Sequence, residues 1–95
     1  MSVTRAEPAK VAAERLHDLA AELEQRGFAA RVLVTDGKLR VWVQHRTVPQ
    51  LSEAIYAAPA DDGLWWLWWS WADQLAPIDA IESAAVKITY VLTPG

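Results

Sequence analysis

Apolar positions near the start of the chain recur with a helical period. Between Pro8 and Arg26, Ala12, Leu16, Leu19 and Leu23 fall three or four residues apart, with Ala13 and Ala20 widening the stripe. Lys10, Glu14, Asp18, Glu22 and Gln25 occupy the opposite side, and Glu22 with Arg26 makes a favourable i,i+4 pair. Pro8 suits the first turn, and Gly27 suits the C-terminal stop. The pattern predicts an amphipathic helix packed by one side.

After Gly27 the period changes from helical to two. Asp36-Gly37 between β-rich runs favours a two-residue primed turn, which sets a register. Thr35 then faces Lys38, Val34 pairs with Leu39, Val32 with Val41, Ala30 with Val43 and Phe28 with His45, an apolar face suited to a core. The other face pairs Leu33 with Arg40 and Arg31 with Trp42, and also carries Lys38, Gln44 and Arg46. It reads as the outer face.

Residues 46–50 form a connector, where Pro49 disfavours a central strand. Leu51–Ala58 has the propensity of a short helix, but its length and the turn after it favour a strand. Pro59–Gly63 reads as a turn and Leu64–Trp71 as a fourth strand. A second helix opens after Pro77, with Asp79 and Glu82 spaced like a capping box. Ile81, Ala85, Ile88 and Leu92 form its stripe, with Ala84 and Val91 beside it. The expected fold is α+β: an N-terminal helix, a four-stranded antiparallel β-meander and a C-terminal helix, with both helices on one sheet face.

Five of the six tryptophans lie in the stretch DDGLWWLWWSW, Asp61–Trp71. Strand alternation sends Trp66 and Trp68 one way with Leu64 and Ser70, and Trp65, Leu67, Trp69 and Trp71 the other. Neither side is polar. One reading buries most of these indoles in a core between helix and sheet. The other makes Trp65, Trp66, Trp68, Trp69 and Trp71 a protein-interaction surface, because contiguous exposed apolar area marks contact sites and tryptophan is enriched at binding hot spots. A third use, stacking a sugar beside Asp61, Asp62 and Asp73, competes with the plain role of such residues in turns.

Ninety-five residues, 53% of them hydrophobic and 22% charged, make one globular domain over residues 1–95. There is no cysteine, so packing must supply the stability. The first residues lack the apolar core of a secretory signal, and no run approaches the length of a membrane span. A cytoplasmic protein is expected. A net charge of -3 argues against generic nucleic-acid binding.

No local motif proposes catalysis. His17 and His45 are the only histidines, neither is accompanied by a short-spaced ligand set, and Ser70 has no glycine elbow. No catalytic residue, metal or cofactor is expected. The rival chemistry lies on the hairpin's outer face, where Arg31, Lys38, Arg40 and Arg46 accompany Trp42. A basic sheet with an aromatic platform suits single-stranded nucleic acid or a small planar ligand, and an acidic protein partner would fit it equally well. Its bland counterpart is a cross-strand pair of Arg31 and Trp42 on a solvated face.

The segment Tyr56–Leu92, with acidic residues and a turn glycine, an aromatic run ending in W-S-W, and a helix opening of the form I/L-x-P-x-D/E-x-I-E, resembles a group of small, uncharacterised actinobacterial proteins. The resemblance implies an accessory protein, often encoded near helix-turn-helix regulators, and carries over no catalytic residue. The expected function is therefore a non-catalytic, self-associating interaction domain, most simply a homodimer, with another protein as a possible partner.

Overall fold

The computed structural model describes residues 7–94. Residues 1–6, part of the N-terminal stretch read above as lacking a signal core, and Gly95 lie outside the described residues. The chain forms α1 (Glu7–Gln25), β1 (Phe28–Thr35), β2 (Lys38–His45), β3 (Ser52–Pro59), β4 (Trp65–Trp69), β5 (Gln74–Pro77) and α2 (Ile81–Val91). The strands run antiparallel in chain order, β1-β2-β3-β4-β5.

The N-terminal helix ends where glycine permits it to, with Gly27 at φ 97°. The first hairpin adopts the expected register over its whole length, from Thr35 opposite Lys38 to Phe28 opposite His45. Asp36 and Gly37 have φ values of 53° and 76°, the two left-handed residues that a primed turn requires. Leu51–Ala58, where length and the following turn outweigh helix propensity, is the expected strand, over Ser52–Pro59.

The sheet has five strands, which corrects the expected four. The extended run ends at Trp69, and residues 70–73 turn the chain back, with the Trp69 amide donating to the Asp73 carbonyl at 2.9 Å. Gln74–Pro77 then pairs with β4. This strand has only four residues, and its register shifts between Leu67 and Trp68, so that Leu75 is extra to the ladder. Consecutive residues Leu75 and Ala76 are consequently both buried, which erases the alternation by which a strand is recognised. The second helix also starts differently. Ala80 occupies its N-cap with no side-chain hydrogen bond, and Asp79 instead lies 3.4 Å from the guanidinium of Arg15.

Both helices lie on one sheet face. Leu16, Leu19 and Leu23 of α1 and Ala84, Ala85 and Ile88 of α2 share a core with Phe28, Val41, Val43, Ile55, Leu67 and Trp69. The paired positions Val41–Ile55 and Ile55–Trp69 place these strand residues on a single side. No described element covers the other side. Among the described residues no helix is long and apolar enough to cross a membrane.

Candidate interaction face

The tryptophans of β4 are divided by the pleat. Trp65, Leu67 and Trp69 point to the helices, where Leu67 and Trp69 are buried and Trp65 packs against the core. Trp66 and Trp68 point to the uncovered side and remain partly exposed. Trp71 sits in the turn after the strand, half exposed, with its ring stacked on Trp69 at 4.7 Å and 10°. Its indole N–H donates to Asp73 at 2.9 Å, so turn and strand end are clamped together. The five candidate interaction tryptophans therefore do not share one surface.

The uncovered face instead unites two features that the sequence leaves separate. One row of paired positions runs Leu33, Arg40, Tyr56, Trp68 and Gln74 across all five strands. Beside it run Arg31, Trp42 and Ala54 on one flank, and Ala58, Trp66 and Pro77 on the other. Trp66 and Trp68 thus lie on the same side of the sheet as the basic hairpin residues Arg31, Lys38 and Arg40 and the platform Trp42. Arg46 is exposed in the connector, beyond the end of β2, where strand alternation no longer assigns its side.

Trp42, Tyr56, Trp66 and Trp68 are each partly exposed, yet Ala54 among them is 7% exposed and stands apart from the helix-side core. With no helix above it, the cover of Ala54 is the large side chains of its own face. Two hydrogen bonds fix these side chains. The Trp68 indole N–H donates to the Ala58 carbonyl at 3.0 Å, and Arg40 Nη1 donates to the Tyr56 hydroxyl at 3.2 Å. Tyr56 is the aromatic residue of this face that the sequence reading missed. Its signal was its place in a strand of unassigned register.

Charge is unevenly distributed over the face. Arg31, Lys38 and Arg40 occupy its β1–β2 side, and no carboxylate within 4.0 Å pairs with any of them among the described residues. No Asp or Glu takes a strand position on this face, since Glu53, opposite Val43, belongs to the helix side and accepts from Ser70. On the β4 side, Asp61 and Asp62 border a recess with Trp68 and Gln74. The face is therefore basic on one side, aromatic in the middle and acidic at the far corner.

His45 serves local structure. His45 Nδ1 accepts from the backbone amides of Thr47 and Val48 at 3.2 and 3.1 Å, while its ring meets Phe28 edge-on at 5.9 Å. His17 is exposed on α1. Among the described residues no group of three or more His, Cys, Asp and Glu side chains is placed to hold a metal ion. No family model, no curated protein and no solved structure matches the chain.

Proposed function

We propose that the chain is a non-catalytic interaction domain that self-associates through the uncovered sheet face, in an accessory or regulatory role. The observation that carries this reading is the row Arg40, Tyr56, Trp68 and its neighbours Trp42 and Trp66, a large aromatic surface that no described element of the chain covers. Such a surface gains most by leaving water, and two sheets stacked about 10 Å apart interdigitate their side chains in the manner of a β-sandwich.

The charge pattern supports a second copy as the occupant. A two-fold axis parallel to the strands and passing near β3 lays the β1–β2 side of one copy over the β4 side of the other. Lys38, at the same end of the strands as the β3–β4 turn, then approaches the partner copy's acidic corner at Asp61 and Asp62, and the aromatic centres meet. Self-complementarity of this kind is what an isologous interface needs.

The charges also supply a test. Lys38→Glu weakens association, as does Asp61→Lys with Asp62→Lys, and an equimolar mixture of the two variants restores it as a heterodimer. Failure of the mixture to associate while each variant remains folded contradicts the arrangement.

A second reading, single-stranded nucleic acid or a planar ligand on the same face, draws on the unpaired cations beside Trp42 and Tyr56. It requires binding of an oligothymidylate that weakens steeply with salt, whereas aromatic self-association tolerates salt.

A further inference from the structure

We propose that the gap where β2 and β3 part is a binding site for a small planar, apolar carboxylate. The pairing of β2 with β3 ends at Arg40 opposite Tyr56. Beyond that rung β2 stays paired with β1 as far as Lys38, and β3 stays paired with β4 as far as Pro59. Each strand keeps its outer neighbour and loses its inner one, so the sheet is split at this end.

The split holds a recess of about 460 Å³, within the range of about 300–1,000 Å³ typical of small-molecule sites. Leu39, Ala57, Pro59 and Trp65 make its wall mostly apolar, and Ala12 of α1 contributes on the helix side. A flat hydrophobic body suits a slot between two strands, with the Trp65 indole as a stacking surface.

The polar groups at this end are donors. A second recess, lined by Asp36, Lys38, Arg40 and Tyr56, shares Lys38 and Tyr56 with the first. The Tyr56 hydroxyl accepts from Arg40, which leaves its own proton to donate elsewhere. Arg40 Nε is buried and has no hydrogen-bond partner among the described residues. Asp36, the carboxylate of this recess, lies within 4.0 Å of neither cation. An ammonium, a phenol and a guanidinium side by side, with no anion paired to them, favour a ligand whose carboxylate meets Lys38 and Tyr56 while its ring system enters the split.

The site is tested by titrating isotope-labelled protein with naphthoate and, separately, with neutral naphthylmethanol, following backbone amides and indole N–H groups by NMR. Naphthoate is expected to shift Leu39, Ala57 and Trp65 in a saturable manner. The neutral analogue is expected to bind about tenfold more weakly, the loss of one charge-assisted contact. Lys38→Gln should largely remove that preference. Ala57→Leu, which fills the slot, should abolish binding while the unfolding midpoint is retained, and Ala57→Val provides a smaller filler for the same purpose. Equal affinity for the two probes, shifts confined to Trp42, Trp66 and Trp68, binding that survives the fillers, or no saturable binding would each overturn the assignment.

Discussion

Arg40 and Tyr56 face each other across β2 and β3, joined at 3.2 Å, and form the last rung before the strands separate. Their contact ties the basic side of the open face to its aromatic centre. Tyr56→Phe keeps the ring and removes the acceptor, leaving a part-buried guanidinium with one partner fewer. The expected loss is about 1–2 kcal/mol in urea unfolding, because orphaning a buried donor costs more than the net value of the bond.

The two sides of β4 should respond unequally to truncation. Leu67 is fully buried in the core, and Leu67→Ala is expected to cost about 2–5 kcal/mol. Trp66→Ser on the open side removes no helix contact and should cost about 1 kcal/mol, the span of strand propensities. Chemical denaturation of both variants at one protein concentration checks the contrast.

Ala72 sits at φ 70° in the turn between β4 and β5, a conformation that an L side chain adopts at a cost. Ala72→Gly relieves it and should stabilise the protein by about 0.5–1 kcal/mol, less whatever glycine gains in the unfolded chain. A raised thermal midpoint is the expected readout. A lowered one would show that unfolded-state entropy outweighs the strain.

His45 holds the connector after β2 by accepting two backbone amides on one ring nitrogen. His45→Ala frees both amides and removes the edge-on contact with Phe28, so a loss of about 1–3 kcal/mol is expected, with hydrogen exchange quickened at Thr47 and Val48.

The first half of the fold was legible because local chemistry determined it. Asp36-Gly37 admits one kind of turn, and a two-residue turn leaves one register, so every pair from Thr35–Lys38 to Phe28–His45 followed. Nothing comparable sets the register of β3. Its connector, residues 46–50, is long enough for several alignments, and without that register Tyr56 could not be placed beside Arg40. β5 was hidden by the extra residue Leu75, and Ser70 and Trp71 prolonged the alternation of β4 into a turn. The direction of the β4 tryptophans was also undetermined. WWLWW is apolar on both sides, and the choice depends on the helix-facing side being carried from Val41 through Ile55 to Trp69.

Association of two copies of the chain through the open sheet face is the proposed basis of function. It is tested most directly by solution mass from light scattering over a concentration series, for the wild type and for Trp66→Ser combined with Trp68→Ser. A dimer is expected for the wild type and a folded monomer for the double variant, with unchanged far-ultraviolet circular dichroism. A wild type that stays monomeric at high concentration, or a double variant that keeps the dimer mass, would contradict it.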